Sequence, residues 1–298
     1  MGLATEIFAV LVHLRGKQMA AAFRRLLELG MPPGQIVAVD NGSWDGSGAI
    51  LREEFPQLSW VILPENRGFA GGANAGLARA LDRGASHLLL LNDDLLIEPG
   101  CLELLATCMS ESPRLAAVAP QVLRPDGQPE PWTGRLSFGP LVLATRGRPA
   151  ANPTWLLGTC LLIRSEAWRE VGPFDDRYFA YFEDVDWCIR ARRCGWLLRH
   201  LPQARAVHAG AASTGGDEYV GAKRYLMARN AVRFVRQHAS GMQKLRFALS
   251  LLAWLPAALV FRSLRGETAG LQLKLRGYWD GLLDRPLPLA ALDLRPPT

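Results

Sequence analysis

Short apolar runs alternate with amphipathic segments along the first 120 residues of the chain. Five apolar runs predict strands: EIFAVLVHL, QIVAVD, LSWVIL, SHLLLLN and RLAAVAP. The segments between them have helical spacing: MAAAFRRLLELG, GSGAILREEF, GFAGGANAGLARALDRG and a stretch from about Pro99 to Ser112. Gly30 and Gly84 follow two of these helices, where glycine commonly ends a helix. Repeated strand–helix alternation predicts an α/β fold with a mostly parallel, doubly wound central sheet flanked by helices.

The pattern changes after residue 120. Residues 121–153 are rich in Pro and Gly, lack periodicity, and predict a loop-rich insertion. Order returns with WLLGTCLLIRSEAW, a strand leading into a short helix, and with FEDVDWCIRARRCGW, an amphipathic helix ended by Gly195. The segments WLLRHLP and ARAVHAG then predict two short strands. Residues 1–222 are therefore expected to form one α/β domain, and residues 223–298 a helical tail.

Charge separates this tail from the rest of the chain. Residues 223–298 contain 13 Lys/Arg and 4 Asp/Glu, a net charge of +9, whereas residues 1–222 carry −3. Such a basic segment suits an anionic membrane surface. Its apolar run Phe247–Phe261 has 15 residues between two arginines, fewer than the roughly 20 that cross a bilayer as a helix. Two interpretations stay open: a helix lying on the membrane through residues 241–298, and a helix packed on protein.

Composition bears on the cellular compartment. The chain is 49% hydrophobic and 21% charged, which is ordinary for a globular protein with an adequate core. Its five cysteines include no CxxC pair and are odd in number, which favours free thiols in a reducing compartment over a disulfide framework or a zinc site. The start, MGLATEIFAVLVHLRG, has no basic segment before its apolar run, so it predicts a first strand and not a signal peptide. A cytoplasmic location is therefore expected.

Polar residues follow three of the predicted strands, at the edge where parallel sheets bind ligands. The first group is VDNGSWDGS, residues 39–47, in which Asp40 ends a strand and Asn41, Ser43 and Asp45 follow. Two interpretations stay open. One is ordinary turn and helix-capping chemistry. The other is a nucleotide site in which Asp40 accepts a hydrogen bond from the imide N–H of a uracil or thymine ring.

The second group is ENRGFAGGANAG, residues 65–76, which places four glycines within nine residues at the start of a helix. Glycine inside a helix costs about 1 kcal/mol relative to alanine, so the pattern needs a cause. One candidate cause is the close approach of a ligand phosphate to the backbone. The other is tight packing of the helix on the sheet. The segment lacks the GK[ST] ending of a Walker loop.

The third group, Asn92, Asp93 and Asp94, directly follows a run of four leucines. Two adjacent carboxylates at the end of a buried strand are costly unless a positive charge meets them. Their oxygens are hard ligands that suit Mg²⁺ or Mn²⁺. The alternative is that these residues cap the next helix.

Three carboxylates in four residues occur in YFEDVDWCIR. Asp186 and Arg190 are spaced as a structural i,i+4 pair on a helix. Glu183 and Asp184 lie at the helix start, where the helix dipole stabilises acidic side chains, or one of them acts as a general base. His208 follows a predicted strand and is either structural or a further metal ligand.

Five motifs together carry a resemblance to a known family. VDNGSWDGS, ENRGFAGGANAG, LLLNDD, GPFDDRYFAYFEDVDWCIRARRCGW and VHAGAAST occur in the order and spacing of family 2 glycosyltransferases. Over roughly residues 5–235 the chain resembles the rhamnosyltransferase-like sub-group. The resemblance implies a GT-A catalytic domain over residues 1–222, which is Rossmann-like. Its donor-binding part would cover about residues 1–120, and its acceptor and catalytic part about residues 121–222.

The resemblance also implies residue roles. The catalytic base would be Asp184, with Glu183 as the second choice. A Mg²⁺ or Mn²⁺ ion would be held by Asp94 and His208, while Asp93 would face the ribose or the pocket wall. The nucleotide-sugar site would comprise Asp40, Asn41, Ser43, Asp45, Asn66, Gly68, Gly71, Asn74, Asn92 and Asp93.

The implied activity is the inverting transfer of a sugar from a UDP- or dTDP-sugar to a hydroxyl of a glycan or lipid-linked acceptor. Such enzymes serve surface polysaccharide, O-antigen or glycolipid synthesis, at the inner face of the plasma membrane and without a nucleic-acid partner. Two alternatives stay open. One is a sugar nucleotidyltransferase, although VLVHLRGKQ is a poor match to the glycine-rich, lysine-containing motif expected near the start. The other is a catalytically degenerate transferase that acts as a membrane-associated assembly partner.

Three features depart from the family pattern. The first strand ends in VHLRG, where the family usually has a polar run rich in Asn and Tyr. Trp44 replaces a common small Thr or Ser. Residues 121–153 match no family motif firmly, and the acceptor is expected to contact them.

Overall fold

The fold is described from a computed structural model of the chain. It describes residues 7–131 except 17, residues 153–208, 217–263 and 268–294, and positions 133, 135–136, 138 and 143–144. The strands are β1 (Ile7–His13), β2 (Ile36–Asn41), β3 (Ser59–Leu63), β4 (His87–Leu91), β5 (Leu95–Ile97), β6 (Leu115–Leu123), β7 (Arg135–Leu136), β8 (Leu143–Ala144), β9 (Cys160–Arg164) and β10 (Leu197–His208). The helices are α1 (Met19–Glu28), α2 (Ser47–Glu54), α3 (Gly68–Asp82), α4 (Cys101–Ser110), α5 (Ser165–Val171), α6 (Glu183–Arg193), α7 (Asp217–His238), α8 (Gly241–Ser263) and α9 (Thr268–Leu282). Short 3-10 turns occur at Pro33–Gln35, Asp176–Tyr178 and Ala290–Leu292.

Eight strands form one sheet in the order β3-β2-β1-β4-β9-β6-β10-β5. The first four neighbours are parallel, and β10 is parallel to β6. Two strands run the other way: β9, between β4 and β6, and β5, at the sheet edge. The predicted α/β fold with a mostly parallel sheet and flanking helices is therefore confirmed. Because β1, β2 and β4 are parallel neighbours, the polar groups that follow β2 and β4 lie at one edge of the sheet.

The alternation of side chains along β1 shows how the sheet is covered on both faces. Phe8 and Val10 pack with Leu77 of α3 in one apolar cluster. Ile7 and Leu11 face the other way, into a cluster that contains Phe23 of α1. A strand with two covered faces needs apolar residues at every position, which explains the unbroken apolar runs in the sequence.

Two sequence predictions about elements are corrected. The residues after Asp94 form the short strand β5, and α4 begins only at Cys101. The interpretation of Asn92–Asp94 as a cap for the next helix is therefore wrong. The two strands predicted around residues 196–210 are one strand, β10, whose pairing with β6 shifts between Leu201 and Arg205. Such an irregularity hides a continuous strand in the sequence because it breaks the alternation of side chains.

The tail begins inside the packed part of the molecule. Helix α7 starts at Asp217, so the predicted boundary between residues 222 and 223 falls within a helix. Val232 and Phe234 of α7 are buried in the same apolar cluster as Trp187 of α6. In the part of the chain that the structure describes, no helix combines the length and apolar character that crossing a membrane requires. The apolar run Phe247–Phe261 lies within α8.

Two of the four glycines in GFAGGANAG lie against the sheet. A Cβ atom on Gly72 would stand 2.7 Å from Cγ1 of Val12, and one on Gly76 would stand 2.7 Å from Cγ2 of Val39. Carbon atoms cannot approach this closely without displacing a neighbour. Tight packing of helix on sheet therefore accounts for Gly72 and Gly76.

Replacing Gly76 by valine should lower the free energy of unfolding by about 1–3 kcal/mol, because the added carbons overpack the interface of α3 with β1 and β2. Denaturant-induced unfolding measures the change. The matched control is Ala78→Val on the exposed face of the same helix, with an expected cost below about 1 kcal/mol. Equal losses in the two variants would contradict the packing role of Gly76.

Candidate active site

A crevice of about 830 Å³ opens at the edge of the sheet where β1, β2 and β4 end. It is lined by residues from segments far apart in the sequence. Eight of the site residues proposed from the sequence line it: Asn41, Asn66, Gly68, Asn92, Asp93, Glu183, Asp184 and His208. The structure therefore brings together the donor, base and metal elements that the sequence suggested separately.

Two asparagines stabilise the part of the crevice that lies beside the start of α3. The side chain of Asn41 donates to the carbonyl of Gly68 at 3.0 Å and to Oδ1 of Asn66 at 3.2 Å, and its Oδ1 accepts from the Arg67 amide at 3.0 Å. Oδ1 of Asn66 also accepts from the Gly68 amide at 2.9 Å. Both side chains are buried. This network ties the end of β2 to the start of α3, the positive end of the helix dipole, which favours an anion such as a phosphate.

The other residues predicted for nucleotide binding have structural partners. Asp40 is buried, pairs with Arg52 and accepts from the Ser43 amide at 3.0 Å. Asp45 accepts from the amides of Gly16 at 2.9 Å and Ser47 at 3.0 Å. These contacts are the turn chemistry that the sequence left open, and the nucleotide-binding role of Asp40, Ser43 and Asp45 stays a prediction.

Asn74 and Gly71 of α3 also have neighbours within the protein. The Asn74 side chain exchanges two hydrogen bonds with the backbone of Phe174, at 2.9 and 3.0 Å. A Cβ atom on Gly71 would stand 2.7 Å from Cβ of Arg67. Their predicted donor contacts likewise stay predictions.

The end of β1 departs from the family pattern, and the structure shows what replaces it. His13 is buried, and its Nε2 lies 2.7 Å from Oγ of Ser47. Burial lowers the pKa of His13, with an opposing effect from the nearby carboxylates of Asp40 and Asp45. Arg15 reaches the crevice, where its guanidinium carbon lies 4.9 Å from the centre of the Trp44 ring. The motif VHLRG thus supplies one buried histidine and one cation at the rim.

Asp94 is a buried carboxylate in need of a cation. It is 2% exposed, and neither of its oxygens has a hydrogen-bond partner among the described residues. Nε2 of His208 lies 4.0 Å from Oδ1 of Asp94. Burial and the charge of Asp94 also raise the pKa of the adjacent Asp93 to about 7. A buried carboxylate without donors is unfavourable until positive charge meets it.

Glu130 orients the histidine of this pair. Its Oε1 lies 2.9 Å from Nδ1 of His208, so Nδ1–H donates to the carboxylate and Nε2 is the ring nitrogen that faces Asp94. Glu130 lies in the Pro/Gly-rich stretch and was not predicted as a site residue. The sequence gives no signal for it, since it is 78 residues from His208 and follows no motif.

These residues fit a divalent cation with few protein ligands. A carboxylate and an imidazole are suitable donors for Mn²⁺ or Mg²⁺. Among the described residues, no group of three His, Cys, Asp or Glu side chains surrounds one point. Asp94 and His208 would therefore leave coordination positions for phosphate oxygens and water, as Mg²⁺ sites with bound nucleotides commonly do.

Replacing Glu130 by alanine should weaken Mn²⁺ binding by about 10–100-fold, because His208 loses the partner that fixes its tautomer and ring orientation. Titration of Mn²⁺ into the protein with bound nucleoside diphosphate, followed by electron paramagnetic resonance, measures the affinity. The control is Glu103→Ala on α4, in an exposed position. Unchanged Mn²⁺ affinity in the Glu130 variant would contradict the orienting role.

Asp184 and Glu183 occupy the first turn of α6 and differ in their hydrogen bonds. Asp184 accepts from the amides of Gly158 at 2.7 Å and Val185 at 2.8 Å. Burial raises the pKa of Asp184, and these hydrogen bonds oppose the rise. Burial and the adjacent Asp184 raise the pKa of Glu183 well above its usual range, and Oε2 of Glu183 has no partner among the described residues. Asp184 is therefore the better carboxylate to hold negative charge and accept a proton.

The predicted Asp186–Arg190 pair is confirmed. Nε of Arg190 lies 2.8 Å from Oδ2 of Asp186. The other oxygen of Asp186 contacts Nε2 of His238 at 2.7 Å, so this carboxylate also joins α6 to α7. Both carboxylate oxygens of Asp186 therefore have partners, and the residue has a structural role.

The comparisons with known proteins define the class. The family model described as Glycosyl transferase family 2 matches residues 8–189. The chain therefore belongs to glycosyl transferase family 2. A similar relative is the N-acetylglucosaminyl-diphospho-decaprenol L-rhamnosyltransferase of Mycobacterium tuberculosis, 31% identical over 213 residues that cover 62% of this chain and 69% of the relative. The predicted likeness to rhamnosyltransferases of this family is confirmed, and the nucleotidyltransferase alternative loses its basis.

Two solved structures share the fold. GalNAc-T7 with UDP, GalNAc and Mn²⁺ has a TM-score of 0.59 and 14% identity, over 77% of this chain and 47% of that one, so the chain spans about half of its length. The mannosyltransferase PcManGT from Pyrobaculum calidifontis, in complex with GDP-Man and Mn²⁺, has a TM-score of 0.58 and 17% identity, over 94% and 88%. The predicted GT-A fold is confirmed.

Proposed function

We propose that this family 2 glycosyltransferase moves a sugar, with inversion, from a UDP- or dTDP-sugar to a hydroxyl of a lipid-linked glycan acceptor. One observation carries the proposal: a single crevice is lined by the hydrogen-bonded carboxylate of Asp184, by Asp93 and His208, and by the asparagine network at the start of α3. The buried carboxylate of Asp94 lies directly behind this lining, 4.0 Å from Nε2 of His208. These are the parts that glycosyl transfer from a nucleoside diphosphate requires: a base, a charge-balancing site and a phosphate-binding helix start.

The chemistry follows from these groups. Asp184 takes the proton of the acceptor hydroxyl, and that oxygen attacks the anomeric carbon on the face opposite the leaving diphosphate, which inverts the configuration. The amides of Gly158 and Val185 fix the carboxylate and favour its charged form. Asp94 and His208, oriented by Glu130, would hold a Mg²⁺ or Mn²⁺ ion whose charge balances the departing diphosphate.

Three findings support the acceptor, the ion and the location. The relative from Mycobacterium tuberculosis is named for an acceptor with a decaprenol lipid. The structures of GalNAc-T7 and PcManGT, which share this fold, contain Mn²⁺. The five cysteines are free thiols in the structure, which supports action at the cytoplasmic face of the membrane in polysaccharide or glycolipid synthesis.

A panel of UDP- and dTDP-sugars tests the donor. With Mn²⁺ present, one nucleotide sugar at about 100 times its Kd should stabilise the fold by about 2.7 kcal/mol, read as a rise in Tm, and should be hydrolysed slowly. EDTA should remove both effects. Binding without turnover, even with acceptor, would favour the degenerate assembly partner. Neither binding nor turnover with any donor would overturn the proposal.

A further inference from the structure

Helix α8 presents an exposed apolar stripe. Met242, Leu245, Leu249 and Leu252 follow the spacing of one helix face, and they are 75%, 53%, 56% and 69% exposed. Eleven large apolar side chains are exposed in the described part of the chain, and seven belong to α8, α9 or the residue after α9. The three others of this group are Trp279, Leu282 and Leu283. Exposed apolar residues concentrated in this way mark an interaction surface.

The opposite face of α8 is already occupied. Phe247 is buried, and its ring centre lies 6.5 Å from that of Tyr278 on α9. Helix α9 packs closely on α7, since a Cβ atom on Gly281 would meet the backbone of Arg229 at 2.8 Å. Helix α7 therefore packs on the core of the domain, α9 packs on α7, and α8 packs on α9. The exposed stripe faces away from this stack and is available to a partner.

Charge indicates which partner fits. Residues 241–263 contain no acidic residue, and Lys244 and Arg246 are exposed beside the stripe. The one acidic residue of α9, Asp280, is buried and accepts from the Tyr225 hydroxyl at 2.8 Å. A basic and apolar helix face is complementary to anionic lipid head groups above an acyl layer. A second copy of the same basic face would be repelled.

We infer that α8 lies in the interface of an anionic bilayer, with Met242, Leu245, Leu249 and Leu252 among the acyl chains and Lys244 and Arg246 at head-group level. This deepens the proposed function and rests on it for the purpose of the contact, since a lipid-linked acceptor is reached at a bilayer. It decides between the two interpretations of the apolar run in favour of a membrane contact.

Flotation of the full chain with vesicles tests the inference without any substrate. Vesicles of phosphatidylcholine with a quarter phosphatidylglycerol should bind the protein, and high salt should weaken binding. The double variant Leu249→Glu/Leu252→Glu should lower the partition coefficient at least about tenfold. The double variant Lys244→Gln/Arg246→Gln should lose about fivefold per charge on anionic vesicles and little on neutral ones. The control Leu104→Glu alters an exposed leucine of α4 and should bind as the wild type.

Other outcomes would overturn the inference. Equal binding of wild type and the Leu249/Leu252 variant would exclude α8 as the contact, and absence of vesicle binding would exclude a bilayer. A wild-type dimer that this variant converts to a monomer, measured by light scattering, would assign the stripe to a second copy of the chain. Vesicle binding and nucleotide-sugar turnover are separate measurements, so failure of one leaves the other standing.

A second inference, carried by different observations, concerns the segment before Asp184. Phe179, Tyr181 and Phe182 have φ angles of 65°, 69° and 79°. Residues with side chains rarely adopt this left-handed region, and such backbone persists only where surrounding contacts enforce it. The segment leads directly into the turn of α6 that carries the candidate base. Its conformation therefore determines where Asp184 stands.

Contacts on two sides hold this segment. Asn230 of α7 is fully buried, and its Nδ2 lies 2.8 Å from each of the carbonyl oxygens of Tyr178, Ala180 and Tyr181. On the other side, the Ala70 amide of α3 donates to the Phe179 carbonyl at 3.0 Å. The segment thus lies between the helix that starts at the donor crevice and the first helix of the tail.

We infer that Asn230 is a positioning residue for glycosyl transfer: it holds residues 178–182 in the conformation that aims Asp184 into the crevice. The inference rests on the proposed function, because it takes Asp184 as the base. The inference gives the tail a role in positioning the catalytic base. Asn230 and Ala180 are 50 residues apart in the sequence, which explains why no sequence motif predicted their contact.

The test compares kcat with nucleotide affinity. Asn230→Ala should lower kcat by up to about 100-fold, and Asn230→Ser, which keeps one donor, should give an intermediate value. The Kd for nucleoside diphosphate with Mn²⁺ should not change, because the asparagine network and Asp94 are untouched. The matched control is Tyr225→Phe, which removes a buried hydrogen bond of the same helix to Asp280 and should lower stability without lowering kcat.

A wild-type kcat in a folded Asn230→Ala variant would overturn the inference. So would a fall in kcat that only matches the unfolded fraction, or a failure of both Asn230 variants to fold, since each outcome would make the residue purely structural. If the wild type itself shows no turnover with any donor, the proposed function fails first, and the two results are distinguishable.

Discussion

Asp184→Asn is expected to lower kcat for sugar transfer by about 10²–10⁴-fold, the contribution typical of a general base. The amide of asparagine keeps the shape of the side chain and cannot take the proton of the acceptor hydroxyl. Nucleotide binding should persist, because Asn41, Asn66 and Asp94 stay in place. Steady-state transfer kinetics and titration of the nucleoside diphosphate with Mn²⁺ measure the two effects separately.

Glu183→Gln is the matched comparison for this variant. Burial and the charge of Asp184 raise the pKa of Glu183 well above its usual range, which favours the protonated form of this side chain. Glutamine resembles the protonated form, and kcat should therefore stay within about threefold of the wild type, well short of the loss typical of removing a general base. A large loss in Glu183→Gln together with a small loss in Asp184→Asn would exchange the roles of the two residues.

Asp94→Asn should raise the stability of the metal-free protein and lower its activity. The carboxylate of Asp94 is buried without hydrogen-bond donors among the described residues. Removing its charge should raise the free energy of unfolding of the metal-free protein by about 1–3 kcal/mol, because burying a charge without partners costs more than burying a neutral amide. The same change should abolish the rise in Tm that Mn²⁺ and nucleotide produce, and should lower kcat by about 10²–10³-fold.

The control for this prediction is Asp40→Asn, which neutralises a carboxylate that pairs with Arg52. That variant should lose stability, because Arg52 is left without its partner. A metal-free Asp94→Asn protein less stable than the wild type, with its response to Mn²⁺ intact, would show that Asp94 has a partner within the protein and does not hold a cation.

Local sequence features predicted the positions of most elements that line the candidate site. Three apolar runs of the sequence end just before polar site residues: at Asp40, at Leu91 and before His208. Because β1, β2 and β4 pair in parallel, the ends at Asp40 and Leu91 lie at the same edge of the sheet. The first turn of α6 was predicted from Glu183 and Asp184 in the same way. The hydrophobic periodicity of a segment and the residues at its ends determine where strands and helices begin and end, so a single sequence is enough to locate them.

Contacts between residues far apart in the sequence could not be predicted from hydrophobic periodicity or local motifs. Glu130 contacts His208 across 78 residues of sequence. Asn230 contacts the carbonyls of Tyr178, Ala180 and Tyr181 across about 50 residues. Neither lies in a motif, since one belongs to an aperiodic stretch and the other to the interior of a helix. Similarly, sequence could not decide between packing and ligand approach for the glycines of α3, because both demand a missing side chain. The strands that surround Gly72 and Gly76 decide in favour of packing.

The central claim is inverting transfer that depends on a divalent cation and on Asp184. Its most direct test is the anomeric configuration of the product, determined by nuclear magnetic resonance after transfer from the donor that the nucleotide-sugar panel identifies to a lipid-linked glycan acceptor. The account predicts a product with the configuration opposite to that of the donor, formed with Mn²⁺ and lost with EDTA or in Asp184→Asn. Retained configuration, or equal turnover in EDTA and in Asp184→Asn, would contradict it.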